Sequence, residues 1–199
     1  MKKILIVFVV FGVGLLFSCQ EDRQIKPEIS KMKLDINIIR FDSIFASASS
    51  QDLKRLKTDY TFMFKNSIPD SLWQIKLKDT LQNEIEQEVL TAFPDFSDYQ
   101  NEITLFFKHL KYYFPKQSIP KVVTLAEYVD YKSKVVLSDD ILYISLDNYL
   151  GEDHKFYKGL QQYVSALQKP SQILPDIAHQ YANRMIDFPN SRTFLSQMI

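Results

Sequence analysis

The sequence predicts an α+β domain made of N-terminal helices, a small, mostly antiparallel sheet and C-terminal helices. Three observations carry that expectation. From Gln51 to Phe114 apolar side chains recur at helical spacing, whereas from Val122 to Leu146 they form short β-branched and alternating runs. The polar breaks between those runs, Ser138-Asp139-Asp140 among them, read as too short for crossover helices, which favours antiparallel neighbours. Strand, helices, meander, helices is an α+β order and lacks the regular alternation of an α/β chain.

Ahead of the domain stand Lys2 and Lys3, an unbroken apolar stretch from Ile4 to Phe17, and then Ser18-Cys19-Gln20-Glu21-Asp22. This is the layout of a secretory signal. A membrane-crossing helix needs about 20 apolar residues and a basic flank, whereas this run is shorter and meets acids. Leu16-Phe17-Ser18-Cys19 resembles the lipobox of bacterial lipoproteins, whose cysteine thiol is diacylated and whose preceding peptide bond is cut. Cys19 is the chain's single cysteine. The expected order is therefore a signal peptide over 1–18, a lipidated tether over 19–33 and one domain over 34–199. Two or three acyl chains such as palmitate, at roughly 0.8 kcal/mol per buried methylene, would hold the protein on a membrane outside the cytoplasm. With no second cysteine, the fold has no internal disulfide to lean on.

The elements follow in order. Gln20 to Lys33 is polar, contains Pro27 and reads as a flexible tether. Leu34 to Asp42 begins with strict alternation and reads as a strand. Helices are expected over Gln51–Lys65 and over Leu72–Phe93, the latter broken near Asp79-Thr80, where Asp79 offers an N-cap. A further helix opens at Ser97, which forms a capping box with Gln100, and carries Ile103, Phe106, Phe107, Leu110, Tyr113 and Phe114 on one stripe. Plain core packing is the expected role of that stripe, and Pro115 ends it. Strands are expected at Val122–Leu125, Lys134–Leu137 and Ile141–Leu146, with Gly151 marking the exit. Helices resume over Phe156–Leu167, with Phe156, Leu160, Tyr163, Val164 and Leu167 inward, and again around Pro175-Asp176. The run Phe194-Leu195-Ser196-Gln197-Met198-Ile199 ends on an apolar residue without a cap, a glycine or a polar tail, which predicts a chain lacking a C-terminal portion.

Composition narrows the function. The precursor carries 24 Lys and Arg against 24 Asp and Glu, and without the leader's two lysines the mature chain is slightly acidic. Such a balance offers no basic surplus for nucleic acid. There is no G-x-S-x-G, no P-loop and no cysteine nucleophile once Cys19 is acylated, and no cofactor is expected. Asp139-Asp140 and Glu152-Asp153 sit at turns, where acids are common for backbone reasons. One frame invites metal chemistry: His179-Gln180-Tyr181-Ala182-Asn183 on a helix behind a strand-rich region. In zinc peptidases, H-E-x-x-H puts two imidazoles one turn apart on the metal and supplies a glutamate base. Here Gln180 cannot accept a proton and Asn183 is a poor zinc ligand. Two readings stand: a helix in which His precedes Gln by coincidence, or the degenerate active-site helix of a zincin-like scaffold. An active, metal-dependent hydrolase is the rival function.

Several stretches together resemble the gliding-motility lipoprotein GldB family of the Bacteroidota. They are the lipobox, Ile39-Arg40-Phe41-Asp42 with Phe45, Phe93-Pro94-Asp95-Phe96, Tyr112-Tyr113-Phe114-Pro115 with Ile119 to Thr124, and Leu150-Gly151 before Pro175-Asp176-Ile177-Ala178. The resemblance covers nearly the whole chain from Cys19 onward. It implies a cell-envelope lipoprotein required for gliding, associated with the motility and type IX secretion apparatus and held on the membrane by its lipid. It also implies no established enzymatic activity and a longer C-terminal portion than this chain has.

Overall fold

The computed structural model describes residues 25–64 and 68–185, so the expected signal peptide, Cys19 and the run after Met185 lie outside the described residues. The chain divides into two units, Met1–Lys33 and Leu34–Ile199. In the first, one helical turn, α1 (Pro27–Ser30), starts at the proline, whose missing N–H costs nothing there. The second holds all other described elements.

That unit opens with β1 (Ile38–Arg40), α2 (Phe41–Ala46), α3 (Leu53–Asp59), α4 (Asp70–Lys76), α5 (Thr80–Ala92) and α6 (Ser97–Tyr113). Next come β2 (Lys121–Leu125), β3 (Val135–Ser138), β4 (Ile141–Ser145), α7 (Gln162–Ser165) and α8 (Ile173–Met185). The fold is α+β with a four-stranded sheet of order β1-β2-β4-β3.

The expected antiparallel character is corrected: β1 with β2 and β2 with β4 are parallel, and only β3 with β4 is antiparallel. The β3–β4 break is indeed a tight turn, with Asp139 at φ 51°. The hairpin it closes lies so that β4 slips between β2 and β3. A parallel neighbour thus arises without a crossover helix. The β1-to-β2 connection does carry helices, α2 to α6.

Because the strand period is two, the sheet has two distinct faces, both apolar. Ile38, Val122, Leu142, Ile144 and Val135 face a core shared with α5, α6 and α8, including Val89, Phe107 and Ile177. Ile39, Val123 and Tyr143 face a second core built from Phe41, Phe45, Leu53, Leu56 and Phe64. Val122, Val123 and Leu142 are fully buried, the pattern of a parallel sheet covered on both sides.

Boundaries moved where tertiary contacts outbid local pattern. The first strand keeps only Ile38–Arg40, because Phe41 and Phe45 turn into α2 and pack on the second core. Asp79 caps α5 as expected, accepting the Gln82 N–H at 2.8 Å. The capping box at Ser97 does not form. Phe96 is the N-cap, and the Asp95 carboxylate takes the Ser97 N–H at 2.9 Å and its hydroxyl at 2.6 Å, a charged acceptor winning over a hydroxyl. Within the α6 stripe, Ile103, Phe107 and Leu110 are buried, but Tyr113 and Phe114 are exposed.

The expected helix over Phe156–Leu167 is broken into a 3-10 turn, Lys155–Tyr157, and the single turn α7. Gly159 sits between them at φ 97°, outside helical geometry. Tyr163 and Leu167 consequently face out, at 71% and 48% exposure, and Tyr157 and Gln168 are buried in their place.

Candidate functional site

Three strands running the same way finish side by side, and their C-terminal ends gather the buried polar groups. In open parallel sheets this is the edge where ligands sit. At the end of β1, Arg40 grips Asp42 with two nitrogens, Nη2 to Oδ2 at 2.7 Å and Nε to Oδ1 at 3.0 Å. The Arg40 Nη2 also donates to the Phe93 carbonyl at 3.0 Å, and the guanidinium lies 5.1 Å from the Phe96 ring centre. Asp42 is almost entirely buried and accepts the Thr124 hydroxyl from β2 as well. Its charge is thus matched by a bidentate partner, the arrangement that makes a buried carboxylate tolerable.

Beyond β2, the peptide unit joining Ala126 to Glu127 is held from two sides. Its N–H donates to Asp147 Oδ1 at 3.0 Å, and its carbonyl accepts from Gln82 Nε2 at 2.8 Å. Gln82 Nε2 also donates to Glu86 Oε1 at 2.7 Å. Burial pushes the Glu86 carboxyl up, opposed by the Gln82 bond and the Lys76 charge.

Asp147 follows β4 and has no exposed surface. Burial pushes its carboxyl up to about 7, against the backbone N–H of Glu127 and its own. Near neutral pH it is divided between acid and carboxylate. Lys76 pairs with Glu127 at 3.0 Å beside these acids and stacks toward Phe45 and Trp73. A cavity of about 20 Å³, lined by Asp42, Trp73, Lys76 and Glu127 among others, has room for about one water.

Tyr157 locks this edge from behind: its hydroxyl donates to the Asp147 carbonyl at 2.7 Å and accepts the Leu150 N–H at 2.9 Å. Fully buried Tyr149 donates to Asp176 at 2.8 Å, and Asp176 pairs with Lys134 at 2.6 Å. These bonds tie α8 to the sheet.

The sequence-derived candidates lie elsewhere. Cys19 is outside the described residues. His179 and Asn183 are on the exposed side of α8, where the Asn183 amide lies 3.0 Å from His179 Nε2, and Gln180 is half-buried. Ile177 and Tyr181 are the residues that α8 turns to the core. Among the described residues no group of three His, Cys, Asp or Glu side chains is placed to hold a metal ion. The zincin-like expectation therefore finds no support in the geometry. His109 stacks on Tyr113, and His154 faces Glu88 at 3.4 Å, so the chain's three histidines are not brought together.

A family model described as gliding motility protein GldB matches residues 22–199. The chain belongs to this family. No curated protein and no solved structure matches it. The GldB-family match contains every element of the sheet and the whole acid-rich edge, so both are parts of the family domain. None of the helices among the described residues of this GldB-family chain is long and apolar enough to cross a membrane.

Asp42, Glu86 and Asp147 escaped the reading of motifs because each stands alone in sequence. The signal was there for two of them: an acid immediately behind a strand that the pattern reads as buried, at Asp42 and Asp147. For Glu86 there was none, since acids are common on every helix surface and only the packing of α5 turns this one inward.

Proposed function

We propose that this GldB-family protein is a lipid-anchored component of the cell envelope that serves gliding by contact with other motility and type IX secretion proteins. It performs no bond-breaking chemistry in this reading. The family match over residues 22–199 is the observation that carries it. The lipobox-like Leu16-Phe17-Ser18-Cys19 supports the anchor, with Cys19 as the acylated residue. An open apolar groove on the sheet, lined by Phe62, Leu125, Val136, Ile141 and Tyr143, supports action by contact, since exposed apolar surface of this kind commonly marks an interface.

The test is a Cys19→Ala replacement in the host cell. Loss of the protein from membrane fractions together with loss of gliding is the expected result. Retention on membranes with normal gliding would sink the anchor. Crosslinking in living cells from positions around the domain should capture envelope proteins of the motility or secretion apparatus. Metal-dependent peptide cleavage by the purified protein would instead overturn the non-enzymatic reading.

A further inference from the structure

The chain enters its sheet at the N-terminal end of β1, and because β1, β2 and β4 are parallel, the starts of all three strands share that end. The segment that leaves α6 feeds β2, so the tip of α6 and the loop 114–120 lie there too. This tip is not finished like the rest of the helix. Tyr113 is 53% and Phe114 49% exposed, although upstream members of the same stripe are buried. Tyr112 and His109 pack against Tyr113 and make the tip an aromatic cluster.

Charge on this stretch is one-sided. Between Glu102 and Glu127 there is no acid, while Lys108, Lys111, Lys116 and Lys121 fall within it. Lys111 donates to the Gln117 carbonyl at 3.1 Å, and Lys121 lies 4.4 Å from the Phe62 ring centre. Asp139 and Asp140, in the β3–β4 turn, share the end of the sheet, nearer its far edge, and moderate the potential. Exposed tyrosine and phenylalanine flanked by lysine is the composition that settles at the headgroup level of a bilayer, rings at the boundary and ammonium groups toward phosphate. Fourteen residues lie between Cys19 and Leu34, a reach of at most about 50 Å.

We infer that the α6 tip, Tyr113 and Phe114 with Lys108 and Lys116, rests on the anionic surface of the bilayer that holds the lipid anchor, orienting the domain with its acid-rich edge away from the membrane. The inference depends on the anchor proposed above.

The experiment uses the lipidated protein with Phe114→Cys carrying an environment-sensitive fluorophore, Cys19 being acylated and so unlabelled. It is reconstituted into vesicles of phosphatidylethanolamine and phosphatidylglycerol. A label at Tyr163→Cys, in the segment leaving the opposite end of β4, is the control. The 114 label should shift to the blue and be quenched by nitroxide-bearing lipid, with the 163 label open to aqueous iodide. Lys108→Glu with Lys116→Glu, or vesicles of phosphatidylcholine alone, should reduce the lipid quenching severalfold. A Lys116→Cys label gives a second position should the first disturb packing. Flotation with the vesicles but equal iodide access at 114, 116 and 163 overturns the inference alone. Failure to float at all overturns the anchor and the inference together.

Discussion

Arg40 and Asp42 show what a single residue is worth at this edge. Asp42 is buried and its charge is met by Arg40, Thr124 and nothing exposed, so truncating the guanidinium strands a carboxylate in the interior. Arg40→Ala should cost about 3–5 kcal/mol, read as a lowered denaturant midpoint, whereas Asp42→Asn with Arg40 intact should cost less. Asp147 behaves differently, since its environment favours the protonated acid. Its folded value of about 7 stands above the unfolded one, so the native state holds a proton that the unfolded chain has released. Stability should then fall as pH rises from about 4 to 7 and level off above it. Glu86, also raised by burial, adds to the same slope. Thermal melts of Asp147→Asn should be flatter with pH and, relative to wild type, gain on the order of 2–3 kcal/mol between pH 5 and pH 8.

At the level of elements, α5 is the hinge of the arrangement. Its N-cap comes from Asp79, and its first turns deliver Gln82 and Glu86 to the β2 exit. Asp79→Ala should therefore cost about 1 kcal/mol for the lost cap. It should also loosen the Gln82 contact to Ala126, seen as faster hydrogen exchange at the Gln82 and Asn83 amides. Elements with a strong intrinsic signal were legible: α5 and α6 were expected where they stand, and the Asp79 cap was readable from residue type and position. Phe156–Leu167 was not. Its apolar spacing suits a helix, but Gly159 takes a positive φ and Tyr157 spends its hydroxyl on the Asp147 turn, so the segment follows the sheet and not its own period.

For the molecule as a whole, the sheet topology creates two chemically different ends. The parallel ends of β1, β2 and β4 place the buried acids at one edge, and the strand starts place the α6 aromatics at the other. An antiparallel meander of the same strands would have put Asp147 and Asp42 at opposite ends and dispersed the cluster. The His179 frame, prominent in sequence, proved peripheral, since two polar residues one helical turn apart share a face whether or not that face meets anything.

The order of residues alone was enough for the α+β class, the positions of α5 and α6 and the family to which the chain belongs. These are local or collinear properties, written in spacing and neighbour identity. Only the tertiary structure decided which strands run parallel, which acids meet, and which members of an apolar stripe stay outside. Those outcomes depend on contacts between residues tens of positions apart, Arg40 with Phe93, Thr124 with Asp42, Gln82 with Ala126. No local pattern encodes such pairings, because each is settled by what the whole core must bury and which polar groups must then find partners.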